Sequence, residues 1–403
     1  TMKKYWFTLY PDTFLWIKEN VGFIYNANNY SKIRFLNEGQ VAEITKLLLD
    51  ITNLYCVEVT ECLLEDEDAN AWIHKIIRFG CGSLIENMAM AQRPLSLPPI
   101  LKLQDDAEYY KWEHKQNIDG NVIHNLHNLV FYINGSEYGN DLYSKQILYP
   151  IKSEQLLDRE DICWFTTNSK YSSYLSEVLI VGNPFKVPYW ADMICELKKT
   201  CAVTLYITIQ DIAKEFSRIK ELFAIVSINL LIADYTILDL LPEIDVRSDD
   251  ISYTFIVTSE EEYEMASRYS EKLKKKNLNI IPVYTGLNMP FIEEYLFFNE
   301  EDLKDIALSK RDIFVRQTLN VFHFGKLYIM PNGNIYSNLN GASMGTIKES
   351  PHDIVYREMT EGHSWLRIRD QKPCCDCIYQ WLCPSPSNYE LAIGKPNLCH
   401  VKP

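Results

Sequence analysis

Nowhere in its 403 residues does the chain hold an uninterrupted apolar run of about 18 residues, the length a membrane-spanning helix requires. The richest stretch, from Phe223 to Leu241, is broken by Ser227, Asn229, Asp234 and Asp239. No apolar core follows Lys3 and Lys4 either, because Tyr10-Pro11-Asp12 interrupts, so no signal peptide is expected. The default expectation is a cytoplasmic protein without a membrane partner. Positive charge is also in short supply. Forty Lys and Arg face 54 Asp and Glu, a net charge of −14. Binding to nucleic acid draws its affinity from Lys and Arg on phosphates, so no nucleic acid is expected. An anionic membrane surface is disfavoured for the same reason.

Cysteine has telling gaps. None lies between 81 and 163, and none between 201 and 374. Six of the eleven are scattered, and in a reducing compartment they read as small buried apolar residues. The other five fall between 374 and 399. The eight histidines are dispersed, and no nucleophile–base spacing stands out. Glu137, Lys145 and His323 are the polar residues that could serve altered chemistry at the mouth of a sheet.

What is present is an ordinary globular composition, 47% apolar and 23% charged. The length allows two or three domains. In residues 5–90, Phe14, Trp16, Val21, Phe23 and Tyr25 alternate with polar neighbours, as in half-buried strands. Asn26-Ala27-Asn28-Asn29 marks a turn, and Ile33 and Phe35 make a third strand. Asn37 is a candidate cap for a helix carrying Val41, Ile44, Leu47, Leu48, Ile51 and Leu54. A second helix shows Trp72, Ile73, Ile76 and Ile77 on one face, after the acidic run 65–68. Pro94, Pro98 and Pro99 place a linker at 91–100.

From about 128 to 320 short apolar runs alternate with helical stretches. The expected strands are Leu129–Ile133, Glu177–Val181, Val203–Ile209, Ala224–Leu230, Tyr253–Val257 and Asn279–Val283. Helices are expected at Trp190–Lys199, Asp211–Leu222 and Glu260–Lys276. This alternation predicts an α/β fold with a mainly parallel sheet, open or closed into a partial (β/α)6-type barrel. Such sheets bind ligands at the C-terminal ends of their strands. Lys326–Met330 and Asn334–Ser337 read as a hairpin around Pro331-Asn332-Gly333.

The C-terminal spacing is Cys374-x2-Cys377-x5-Cys383-x15-Cys399. A pair two residues apart can wrap one metal or one cluster edge, and two later thiolates complete four-coordination. Spacing alone leaves zinc and iron–sulfur both open. The bland alternative is a set of buried, unligated thiols. Cys375 reads as a bystander.

The run from Leu327 to Ser337, then Met344-Gly345-Thr346-Ile347 and the Cys-rich tail, resembles the SPASM domain of peptide-modifying radical S-adenosylmethionine enzymes. The resemblance covers residues 321–403. It implies one auxiliary 4Fe–4S cluster on Cys374, Cys377, Cys383 and Cys399. The second auxiliary cluster would be lost, since Asn338 and Ser387 stand where its cysteines would be. Residues 96–320 resemble the radical S-adenosylmethionine partial barrel. Yet Asn134-Gly135-Ser136-Glu137-Tyr138-Gly139-Asn140 stands where a Cys-x3-Cys-x2-Cys loop belongs, so no S-adenosylmethionine cleavage is expected. Gly182-Asn183-Pro184-Phe185 is a weak echo of the family's Gly-Gly-Glu-Pro-like turn.

Residues 1–95 look like a winged-helix-like precursor-peptide recognition element. That likeness implies leader-peptide binding by Lys32, Ile33, Arg34, Phe35 and Leu36, with Trp72 and Ile76 on the adjoining helix, through strand addition at an open edge. The whole resembles the pseudo-radical-SAM/SPASM proteins of Bacteroidales ribosomal peptide systems. That implies a non-catalytic protein binding a precursor peptide, a partner radical maturase, or both.

Overall fold

Strands form where short β-branched and aromatic runs can bury a face. In the N-terminal unit these are Lys4–Leu9 (β1), Thr13–Lys18 (β2), Val21–Asn26 (β3), Lys32–Leu36 (β4), Cys56–Thr60 (β5) and Gly82–Glu86 (β6). They make two three-stranded antiparallel sheets, ordered β5-β1-β6 and β2-β3-β4. This computed structural model describes residues 3–88, 92–100, 106–116, 120–241, 244, 251–273, 277–362 and 364–401.

Two helices, Gly39–Leu49 and Glu67–Arg78, close a core around Ile24, Ile33, Ile44, Leu48, Trp72 and Ile76. The second helix is capped by Asp66, whose side chain accepts from the Ala69 amide, and Glu67 and Asp68 occupy its first turn. The first helix departs from expectation at both ends. Asn37 is not its cap; that residue's side-chain oxygen instead accepts from the Thr45 hydroxyl at 2.7 Å. The helix stops at Leu49, because Asp50 turns extended and its carboxylate bonds the Thr52 amide. The expectation of three strands missed β1, β5 and β6.

The central sheet follows the sequence pattern closely. Its parallel strands are Asn128–Tyr132 (β7), Glu177–Val181 (β8), Ala202–Thr208 (β9), Ser227–Ile232 (β10), Ile251–Val257 (β11) and Leu278–Pro282 (β12). Lys326–Ile329 (β13) pairs parallel with β7, then Asn334–Tyr336 (β14) and Gly345–Thr346 (β15) extend the edge antiparallel. The order is β12-β11-β10-β9-β8-β7-β13-β14-β15. Sequential strand order with right-handed crossovers puts the connecting helices on one face.

Strand periodicity then splits the side chains between two faces. Leu129, Phe131, Val178, Ile180, Leu205 and Phe255 enter the large core that the helices cover. Val130, Tyr132, Leu179, Val181, Leu231 and Ile256 face the other side. There Ile147, Leu148, Tyr149 and Ile151, from the loop after β7, pack on them. That loop reaches across the sheet, where the Gln146 amide and the Tyr284 backbone, beyond β12, exchange two hydrogen bonds.

Among the expected helices, one runs Trp190–Lys198. Asp211–Leu222 is not one helix but Ile209–Lys214 and Ile219–Phe223, separated by a 3-10 turn at Phe216–Arg218. The last runs Glu260–Leu273, and positions 274–276 of that expectation lie outside the described residues.

Candidate metal centre

The four cysteines reach one place through successive turns. Cys374–Asp376 is a 3-10 turn, closed by the Cys377 amide on the Cys374 carbonyl. The Gln380 amide then bonds the Cys377 carbonyl, and the Cys383 amide bonds the Tyr379 carbonyl. Ile378 and Leu382 anchor this loop in a core shared with Phe14, Phe23 and Tyr25 of the N-terminal unit. Cys399 arrives from the chain's end, pinned by the Phe298 amide on the Leu398 carbonyl and the His400 amide on the Phe298 carbonyl.

All four line a cavity of about 460 Å³ between the tail and the inner face of the sheet. Every pair among them is close enough for their charges to interact. Sulfur acceptors are served by N–H donors. The Tyr379 and Val401 amides donate to Cys377 and Cys399 at 3.4 and 3.3 Å. Arg369 and Asn397 donate to Cys374 at 3.7 and 3.8 Å. Arg369 is itself held by Glu390, which is 2% exposed, at 2.8 Å. Burial pushes the free Cys383 thiol up to about 12, with Arg369 opposing. A bound metal would hold such a sulfur as the thiolate. Cys375 turns away to the Asp376 carboxylate and lines a different cavity.

The donor set can be tested for fit. A tetrahedral ion with Zn–S bonds of about 2.3 Å needs sulfurs about 3.8 Å apart. Among the described residues no three His, Cys, Asp or Glu side chains are grouped closely enough to hold a single ion. Four thiols lining one cavity are a donor set that zinc and an iron–sulfur cluster both accept. A bound cluster would supply an electron-carrying or fold-holding centre there.

The positions related to a second cluster are filled by the protein's own hydrogen bonds. The Asn338 side-chain amide donates to Asn388 Oδ1 at 2.7 Å, and its oxygen accepts from the Asn340 amide. The Ser387 amide donates to Glu390.

At the C-terminal ends of β7, β8 and β9 the polar groups are likewise spent on one another. Asp211 is 2% exposed and accepts from Ser136 at 2.6 Å, Thr208 at 2.8 Å and Asn183 at 2.9 Å. Asn134 and Asn183 exchange two further bonds. Segment 151–153 lies directly against the loop after β7. A Cβ at Gly135 would stand 2.2 Å from the Ser153 amide nitrogen, and one at Gly139 2.2 Å from the Ile151 carbonyl oxygen. Gly182, at φ +132°, lets the next turn approach, since a Cβ there would meet Asn134 Oδ1 at 2.4 Å. Of the polar residues considered for altered chemistry, Glu137 is tied up with Lys214 at 2.6 Å. The Lys145 carbonyl accepts from Asn340. His323 lines the cysteine cavity.

In the N-terminal unit β4 is the end strand of its sheet. Side chains of Ile33, Trp72 and Ile76 are 1%, 5% and 0% exposed. They pack in the core of the N-terminal unit. Phe35 stacks on Trp72 with centroids 5.2 Å apart. Lys32 donates to the Lys304 carbonyl, and Arg34 reaches Tyr379. Leu36 is 66% exposed. The edge backbone can be sorted by parity. The Asn26 amide bonds the Ser31 carbonyl and the Asn37 amide bonds the Asn20 carbonyl. In this register Ile33 and Phe35 therefore occupy the hydrogen-bonded pairs with β3, and Lys32, Arg34 and Leu36 turn their N–H and C=O outward.

Fold and site together define an α/β protein with a large parallel sheet and a C-terminal segment that gathers four cysteines. No family model matches the chain, and no curated protein sequence matches it. Among solved structures, Streptococcus suis SuiB superposes with a TM-score of 0.44 at 12% identity, covering 98% of this chain and 100% of that one. SuiB bound to precursor peptide SuiA gives 0.43 at 13%, covering 98% and 99%. BtrN in complex with AdoMet and 2-DOIA gives 0.30 at 9%, covering 59% and 88%. At these scores the likenesses carry no argument about the site, which stands on its own residues.

Proposed function

We propose that the protein is a non-catalytic relative of radical S-adenosylmethionine peptide-modifying enzymes. It binds a precursor peptide along β4 and retains one iron–sulfur centre on Cys374, Cys377, Cys383 and Cys399, in a cytoplasmic setting. In this reading residues 1–95 form the recognition element, 96–320 the degenerate partial barrel and 321–403 the SPASM-like segment. A partner radical maturase acts on the peptide that this protein presents.

The observation that carries the reading is the mouth of the sheet. The loop after β7 offers no cysteine; its Ser136 bonds the buried Asp211 and its Glu137 pairs with Lys214. A loop without cysteine supports the reading that no iron is held there to cleave S-adenosylmethionine. The outward main chain of Lys32, Arg34 and Leu36 supports strand addition, in which backbone bonds give affinity.

The test incubates anaerobically purified protein with S-adenosylmethionine and dithionite. The expected result is a brown, iron-containing protein that makes no 5′-deoxyadenosine. Stoichiometric 5′-deoxyadenosine would overturn the non-catalytic reading. A colourless protein with one zinc per chain would overturn the iron–sulfur assignment.

A further inference from the structure

The cysteine cavity has a second set of polar groups that the thiols do not explain. His323 is 4% exposed and lines the cavity, yet neither Nδ1 nor Nε2 has a hydrogen-bond partner. Buried polar atoms are almost always matched, so this orphaned pair of ring nitrogens at a cavity wall is free to meet a ligand. Lys326 lines the same cavity from the start of β13, and its amide is bonded to the His323 carbonyl at 3.1 Å. Among the described residues its ammonium forms no ion pair or hydrogen bond. Glu177 acts on it only through its charge, opposing the burial that pushes this lysine down. Burial, with help from Lys326 and Arg367, pushes His323 down to about 4. At neutral pH the ring is neutral and has one donor and one acceptor to offer.

The wall around this pair is mainly apolar, with Leu148, Phe298, Tyr328 and Leu339 among its lining. The cavity of about 460 Å³ also takes the cysteine-bound centre, so the ligand's share is the part lined by His323, Lys326 and these apolar residues. An unpaired cation beside a neutral donor, in apolar surroundings, selects an anionic head on an apolar body.

We propose that this cavity binds a largely apolar carboxylate, its carboxylate paired with Lys326 and hydrogen-bonded by the His323 ring. The site is distinct from the β4 edge and does not depend on it. The carboxylate can belong to a small molecule or to the C-terminus of a peptide, and the recognition chemistry is the same.

The test uses the full, metal-loaded chain and calorimetric titration with 4-phenylbutyrate and 4-phenylbutanol, which share an apolar body and differ in charge. The acid should bind roughly ten- to a hundredfold more tightly than the alcohol, the scale of a hydrogen-bonded charge. Lys326→Met should collapse that ratio towards one while leaving alcohol binding in place. Lys326→Arg, which keeps the charge, should preserve it. His323→Phe should lower acid binding alone. A short peptide ending in Leu-Phe, tested as free acid and as amide, distinguishes the two sources. Preference for the free peptide acid over 4-phenylbutyrate assigns the site to a chain terminus, and the reverse assigns it to a small molecule. Equal affinity for acid and alcohol, binding of neither, or a ratio that survives Lys326→Met would overturn the proposal. So would a changed visible spectrum of the centre in His323→Phe with the acid-to-alcohol ratio unchanged. The wild-type comparison decides the matter even if a variant fails to fold.

Discussion

The ring of Phe23 meets the ring of Tyr379 edge to face, with centroids 5.0 Å apart. Phe23 belongs to β3, and Tyr379 lies between Cys377 and Cys383. The cysteine loop is therefore fastened to the N-terminal sheet, and ordering of one should be felt in the other. Metal binding and local folding are coupled in sites of this kind. Stripping the metal should raise amide hydrogen exchange in β3 and β4 as well as in residues 374–383, and leave β8 to β10 protected. Cys383→Ser should reproduce the effect with loss of metal, and Cys375→Ser should do neither. Exchange mass spectrometry with metal analysis on the same samples checks this.

The peptide edge makes a position-specific prediction. Arg34→Pro deletes an outward N–H and should weaken precursor-peptide binding, whereas Arg34→Ala should not do so through the main chain. Ile33→Pro deletes an N–H that bonds β3, so it should destabilise the unit itself. Peptide affinity and thermal unfolding, measured on all three variants, separate the two effects.

Acid should weaken the fold through His323. Its pKa is about 4 when folded, against about 6.5 when unfolded. Between these values the unfolded chain binds the extra proton, so stability rises with pH and is lost as pH falls from 6.5 towards 4. The linkage is worth on the order of 3 kcal/mol. In urea unfolding, His323→Phe should flatten the pH dependence over this window relative to wild type.

Asp211→Asn should cost about 1–3 kcal/mol. The carboxylate accepts from Ser136 and Thr208 on one oxygen and from Asn183 on the other. An amide nitrogen in either place meets a donor with another donor. Equilibrium denaturation measures the loss, and a neutral result would show that the network relaxes around water.

The parallel sheet was legible because strands buried on both faces read as short apolar runs between turns. Glu177–Val181 matches β8 at both ends. Around Ala224–Leu230 the strand begins later, at Ser227, because Ile225 and Val226 continue the apolar signal out of the preceding helix. In β1 the run Tyr5-Trp6-Phe7-Thr8-Leu9 has no apolar–polar alternation, so nothing local marks it as a strand. Cysteine spacing singled out four thiols that line one cavity, since turns of fixed length carry three of them. The Asp211 network joins positions 134, 136, 183, 208 and 211, and the orphaned ring of His323 depends wholly on burial. Neither leaves a trace in local sequence.

The two bare glycines after β7 set a direction of travel. With the backbone of 151–153 resting where side chains at Gly135 and Gly139 would begin, a side chain at either position forces that segment to move. Placing a side chain at Gly135 or Gly139 is therefore a loop-remodelling task, in which segment 151–153 must be rebuilt along with it.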